Sequence, residues 1–303
     1  NINVLWESQE GIKKQTVPLS ILIFPQQPQP LEMQRSIDVA VQEGEFRKYA
    51  FAAKAENAYL AAFEAKGTGM IEHDFVLLKL FSEDGTPLID YVRRFGGDRS
   101  HERHYAFFED KTAMFFGHQP TGKLVLRLNA VRPVAGKLGV IEAKPVPFSK
   151  FGTDGSKLGV QGSDQYVAGT PYDLSEGDKY KTACMALPFE AEEGVNYLMC
   201  TRHEDKRNER GAMERDLLSY VCSGNDLDKV ITDVTTKPRA WERWTYDKAA
   251  SPGANDEAYS TWTCPKSGKY WVVMMGGELY DRYYRAGGKA PTFRFWLHSF
   301  PKK

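Results

Sequence analysis

"VAVQEGEFRKYAFAAKAENAYLAAFEAKG", Val39 to Gly67, decides how this chain is read. A strand meets a turn containing Gly44, a second strand follows, and the text closes at Gly67. Runs of this kind, bounded by turn residues, are the signature of half-buried strands. The same texture continues in "DFVLLKLFSEDG", "KLVLRLNAV", "KLGVIEAKPV", "NYLMCTRH", "LLSYVCSG", "KYWVVMMGG" and "FRFWLHSF". Helical periodicity with credible caps is scarce. Its best candidate, Glu204 to Tyr220, is interrupted by Gly211 and ends like a strand. The expectation is an all-β chain of tandem antiparallel β-sandwiches, jelly-roll-like, with few short helices.

A chain of 303 residues, 42% apolar and 13% aromatic, can bury more than one core. "VLWESQEGIKKQTVPLSILIFP", Val4 to Pro25, reads as the closing strand pair of a domain, so residues 1–25 are expected to be the terminal strands of an incomplete upstream β-sandwich. Prolines at 25, 28 and 30 remove donors and favour an extended linker. A first β-sandwich is expected over 31–145, an irregular connection rich in Gly, Ser and Asp over 146–180, and a second β-sandwich over 181–303. The halves share a plan. In each, an apolar strand passes into an acidic turn, Ser82-Glu83-Asp84-Gly85 and Ser223-Gly224-Asn225-Asp226. The five-residue match of "GKLGV" (Gly136 to Val140) with "SKLGV" (Ser156 to Val160) is too short to establish a repeat.

Forty basic and 40 acidic residues cancel, so no long-range field gathers nucleic acid or an anionic membrane. No apolar run approaches the roughly 20 residues that span a bilayer, and membrane insertion is not expected. Cys184, Cys200, Cys222 and Cys264 lack zinc-knuckle spacing. They sit in apolar strand text, where buried thiols are favoured over two disulfides. No Asn-x-Ser/Thr acceptor occurs, and together with the even charge this favours an intracellular compartment, cytoplasmic or cytoskeletal, over secretion.

Within the opening stretch, Leu5, Trp6, Ser8, Val17, Pro18, Ser20 and Leu22 resemble the end of the protective-antigen-type domain, the β-sandwich named for the anthrax toxin component. The resemblance covers only the first 25 residues and implies that most of such a domain would lie upstream, together with any calcium-dependent sugar site. "AYSTWTCPKSGKYWVVMM", Ala258 to Met275, is similar to the penultimate hairpin of pre-peptidase carboxy-terminal and Golgi-dynamics sandwiches through Pro265, Gly268 and Tyr270. "FVLLKLFSEDGTPL" is similar to an earlier strand of the same modules, and the third domain of calpain-like proteases is a comparable sandwich. All of these families are accessory, ligand- or partner-binding modules.

Candidates for chemistry are few. His101 and His104, near Glu102 and Asp110, would share a face only in a helix; in a strand the offset turns them apart. No Gly-x-Ser-x-Gly elbow occurs, and paired glycines at Gly96-Gly97, Gly276-Gly277 and Gly287-Gly288 do not open a phosphate loop. Glu83, Asp84 and Asp90, or Asn225, Asp226, Asp228 and Asp233, could gather calcium oxygens, but hairpin turns require the same residue types. No catalytic residue, metal or cofactor is expected. Partner binding is assigned to two aromatic-basic loops. One carries Tyr280, Arg282, Tyr283, Tyr284 and Arg285, the other Trp241 and Trp244.

The expected function is therefore a non-enzymatic structural or adhesive region of a larger multidomain protein, held in an assembly through sheet edges and these loops. Its partners are other proteins of that assembly, with glycan as a second class. The alternatives are a glycan- or calcium-binding accessory region of a secreted hydrolase or calpain-like protease, and an enzyme using His101 and His104.

Overall fold

The computed structural model describes residues 2–8, 11–17, 27–66, 76–89, 111–117, 121–130, 132–149, 167–168, 172–173, 184–203, 217–223, 226–227, 229, 251–252, 257–276 and 292–302. The chain is all-β. Strands β1 (Ile2–Ser8) and β2 (Gly11–Val17) form an antiparallel pair of their own, with Trp6 opposite Lys13. There follow β3 (Gln29–Pro30), β4 (Ser36–Val41), β5 (Phe46–Ala53), β6 (Ala58–Ala65), β7 (Val76–Ser82), β8 (Pro87–Ile89), β9 (Lys111–Gly117), β10 (Gly122–Ala130) and β11 (Val134–Pro145). The remaining strands are β12 (Tyr172–Asp173), β13 (Cys184–Ala191), β14 (Asn196–His203), β15 (Leu217–Ser223), β16 (Ser251–Pro252), β17 (Glu257–Thr263), β18 (Gly268–Gly276) and β19 (Thr292–Ser299). The strand end of the expected helical segment is β15, and 204–216 lie outside the described residues.

From β4 to β11 the strands divide between two sheets in the order of a jelly roll, changing sheet at every step except β7 to β8: β5-β10-β7-β8 on one side, β4-β11-β6-β9 on the other. The end of the proline-rich segment adds a parallel edge strand. Gln29 and Pro30 lie opposite Tyr49 and Ala50, and Leu31 plugs into the core. An edge tolerates a proline, which has no N–H to donate, because one side of the strand needs no ladder partner.

The second set of strands repeats this order. β13-β18-β15 match β5-β10-β7, and β12-β19-β14-β17 match β4-β11-β6-β9. The registers also agree residue by residue. Gly122 faces Ala53 as Gly268 faces Ala191, and Leu124 faces Ser82 as Tyr270 faces Ser223. The two Ser-acid turns of the sequence therefore occupy one structural position. Ala258 to Met275, by contrast, is not a hairpin: β17 pairs with β14 and β18 with β13 and β15, so the Pro265 turn is a corner between sheets. Two strands in different sheets leave the same apolar-turn-apolar trace in a sequence as two strands in one.

Each sandwich has its own core. Tyr49, Phe51, Leu78, Leu80, Leu124 and Leu126 of one sheet meet Tyr59, Phe63, Phe116, Leu138 and Val140 of the other in the first. Met185, Leu187, Phe189, Val272 and Met274 meet Tyr197, Met199, Trp262, Phe295 and Leu297 in the second. Successive residues of a strand face opposite ways, so a sheet with one core would leave every second residue in water. In β6 and β14 this does not happen. Ala58, Leu60 and Phe115 from the first sandwich, with Ala143, join Leu198, Cys200, Tyr259 and Phe300 from the second in a third apolar cluster. The outer faces of the two sandwiches thus pack back to back, with the Phe115 and Tyr259 rings stacked at 5.9 Å.

The backbone reinforces the contact. The end of β11 pairs with β19, Lys144 opposite Ser299 and Pro145 opposite His298. The chain then crosses into the second core, where Val146 donates to the Leu297 carbonyl at 2.8 Å and Phe148 stacks on Phe295. His298 is completely buried, its Nε2 lying 3.1 Å from the Glu56 carbonyl at a turn of the first sandwich.

Candidate functional site

Trp241, Trp244, Tyr280, Arg282, Tyr283, Tyr284 and Arg285 lie outside the described residues, as do His101, His104, Glu102, Asp110, Asp90, Asn225, Asp228 and Asp233. The acidic turns can be followed in part. Asp84 accepts hydrogen bonds from the Ser82 hydroxyl and from the Thr86 N–H, and these hold its carboxyl below the usual range. Glu83 pairs with Lys123 at 3.2 Å. In the second copy the Ser223 hydroxyl donates to Asp226 at 2.6 Å. The carboxylates close their own turns, as Asx residues at strand ends do. Among the described residues no group of three or more His, Cys, Asp or Glu could hold a metal. No helix there is long and apolar enough to cross a membrane.

Cys200, Cys222 and Cys264 are buried thiols. Burial raises the Cys264 pKa, and the thiol donates to the Lys266 carbonyl at 3.1 Å. A thiol held in its protonated form is a poor nucleophile. The phenols of Tyr49, Tyr59 and Tyr197 are likewise pushed up by burial, and all three stand within the cores.

A feature that sequence reading missed lies on the face of β5-β10-β7 turned away from the first core, where Ala50 and Val125 are nonetheless buried. Arg127 sits opposite Lys48 on one neighbour and opposite Lys79 on the other, so three cations form one row across three strands. Like charges in directly opposed positions destabilise a sheet. Arg127 lies over the Phe46 ring at 4.2 Å, and Lys48 approaches the same ring at 5.7 Å. Among the described residues neither Lys48 nor Arg127 has a carboxylate partner. The Nε of Arg127 and the Oδ1 of Asn129, two residues along, are buried without a hydrogen bond. Ala50, Val125 and Phe81 form the adjoining apolar row. The residues at 48, 79 and 127 are distant in sequence, and only register brings them together.

The equivalent row of the second sandwich is Ala186, Val273 and Tyr220, each completely buried. The plan of the sandwich therefore does not demand the basic row. The first copy carries it in addition.

No family model matches this chain, and no curated protein does. Solved structures overlay only loosely. The plant peptide RALF23 in complex with FER and LLG2 gives a TM-score of 0.23 at 8% identity, with 89% of each chain covered. The CUB1-EGF-CUB2 domain of human MASP-1/3 gives 0.19 at 8% identity, covering 87% of this chain and 99% of that one. The N-terminal CBM22-1-CBM22-2 tandem domain of Xyn10C from Paenibacillus barcinonensis gives 0.21 at 9% identity, covering 84% and 82%. Overlays this loose carry no argument about family or function.

Proposed function

We propose that this chain is a non-enzymatic structural or adhesive binding region of a larger multidomain protein, holding it in an assembly. The observation that carries the reading is the back-to-back packing of two jelly rolls through Leu60, Phe115, Leu198 and Tyr259. Two sandwiches tied by a buried core and a strand pairing present their outer surfaces in one orientation, which suits a part that transmits position. The polar side chains of the described turns serve the turns, as with Asp84 and Asp226, and the thiol of Cys264 is held protonated. Buried thiols support an intracellular scaffold over a secreted accessory region. The resemblance of Leu5 to Leu22 to the end of a protective-antigen-type domain belongs to this proposal, since it makes the chain one part of a larger protein.

Size-exclusion chromatography of a native extract tests the reading. The chain is expected to co-elute with other proteins in a complex that high salt or mutation disperses. Elution alone under all conditions contradicts it.

A further inference from the structure

We infer that the junction between the two sandwiches is an acid-sensitive latch, closed around the neutral imidazole of His298 and loosened when that ring takes up a second proton. This goes beyond the assembly reading and does not depend on which partner the chain holds. His298 is completely buried, and its Nε2 meets the Glu56 carbonyl across the junction at 3.1 Å. A carbonyl only accepts, so Nε2 carries the hydrogen of the neutral ring. Register places His298 opposite Leu198 on one neighbour and Pro145 on the other. Leu198 and Phe300 belong to the third apolar cluster, and Trp296 packs against it. The first sandwich has Ile141 at the same post, opposite Leu60 as His298 is opposite Leu198. An apolar residue therefore satisfies the plan of the sandwich, and the second copy puts a titratable one into the contact.

The surroundings set the direction of the response. Among the described residues, the charged groups on the elements packed there are Lys54 and Glu56 at the turn, Glu142 and Lys144 on β11, Arg202 and His203 on β14, Glu257 on β17, and Arg294 and Lys302 along the same chain as His298. Lys54 and Glu56 are exposed. Glu142 and Lys144 flank Ala143, which enters the cluster, so they stand on the opposite face of β11. Glu142 is occupied there by the Asn57 amide at 2.6 Å, and Lys302 pairs with Glu192 at 2.7 Å. Arg202 and Arg294 oppose each other four residues along the ladder, on the order of 13 Å away, with His203 and Glu257 beside them. Cys200 and Tyr259 in the cluster carry no charge in mild acid. A second proton on His298 thus places a full charge among apolar side chains, whereas parted sandwiches give it to water. The closed form keeps its full advantage above about pH 6.5, the ordinary value for an imidazole, and loses it as the pH falls below.

Cys200 reports the latch, because its thiol is buried in the same cluster, while the Cys264 thiol is buried in the second core. The intact chain is labelled with dithiodipyridine from about pH 7.5 to about pH 5. Each rate is divided by that of the urea-denatured chain, and each cysteine is read by mass spectrometry. In wild type the relative rate at Cys200 is expected to rise by up to about tenfold for each pH unit below about 6.5, and that at Cys264 to stay level. His298→Gln keeps a donor for the Glu56 carbonyl, and His298→Ile copies the first sandwich. Both should lose the rise at Cys200. Carboxylates and the other histidines remain in both variants, so their titration cancels in the comparison. A level rate at Cys200 in wild type overturns the latch, as does an equal rise in wild type and variants. A parallel rise at Cys264 also overturns it, since the whole chain then unfolds. Where neither variant folds, the Cε1–H resonance of His298 in the wild-type chain decides. It should change only as Cys200 becomes accessible, and an imidazole that titrates while Cys200 stays protected overturns the latch.

Discussion

Tyr59 and Tyr197 hold the same post in the two sandwiches. The hydroxyl of Tyr59 accepts a hydrogen bond at 2.6 Å from the N–H of Lys54, five residues earlier, and that of Tyr197 accepts one at 2.9 Å from the N–H of Glu192, also five residues earlier. Each phenol reaches from the second sheet to the corner where the chain leaves the first. Both corners are tied again from outside, where Ala55 donates to Thr121 and Glu193 donates to Ser267. Both rings belong to aromatic clusters, Tyr59 stacked with Phe116 at 5.3 Å and Tyr197 tilted against Trp262 at 5.7 Å.

Tyr59→Phe and Tyr197→Phe keep the ring and remove the acceptor at the corner. Each is expected to cost about 1–3 kcal/mol, because the partner N–H lies in a part-buried site. Urea denaturation monitored by tryptophan fluorescence measures this. Neutral substitutions at both positions would show that the corner is held by packing alone.

Alkaline pH should unfold the chain. Burial raises the pKa of Tyr49, Tyr59, Tyr197 and Cys264, so above neutrality the folded state keeps protons that the unfolded chain gives up. Their contribution is fully present below about pH 8.5, where an unfolded thiol begins to ionise, and the phenols follow from about pH 10. It is lost as pH rises through the folded values. A stability profile flat from pH 8 to pH 11 would contradict this.

Gly136→Ala should be poorly tolerated. A Cβ there would meet the Glu64 carbonyl oxygen at 2.3 Å and the Ala65 Cα at 3.0 Å, both backbone atoms that cannot step aside. Overpacking of this kind costs roughly 1–3 kcal/mol. At Gly117, where the nearest atom would lie at 3.4 Å, the same change should cost less, and the pair of melting curves checks the difference.

The alternation of strand residues and the two Ser-acid turns were enough to read two copies of one sandwich, because period two and turn chemistry are local properties. The back-to-back contact was not read. "AYLAAFEA" is apolar on both faces, since Tyr59, Ala61 and Phe63 enter one core while Ala58 and Leu60 enter another, but a short apolar run does not say what covers its second face. The Val39 to Gly67 stretch likewise hid that β5 and β6 belong to different sheets. The basic row was invisible for a related reason: Lys48, Lys79 and Arg127 meet only once the registers of two strand pairs are known. The aromatic-basic loops, which local composition singled out, lie outside the described residues.

The third core should be essential to the joined unit. Leu60→Ala and Leu198→Ala each remove a side chain exposed to about the same negligible extent, 1% and 0%. Each is expected to cost about 2–5 kcal/mol. Limited proteolysis of either variant should release the two sandwiches as separate fragments sooner than in wild type, and equal cleavage rates would oppose this.

The stacking of Phe115 on Tyr259 offers the most direct test that the two sandwiches form one body. A double-mutant cycle with Phe115→Leu and Tyr259→Leu, measured by equilibrium unfolding, isolates the interaction between residues that belong to different jelly rolls. A coupling of about 0.5–1.5 kcal/mol is expected for such a pair. Strict additivity of the two substitutions would mean that the sandwiches do not touch there.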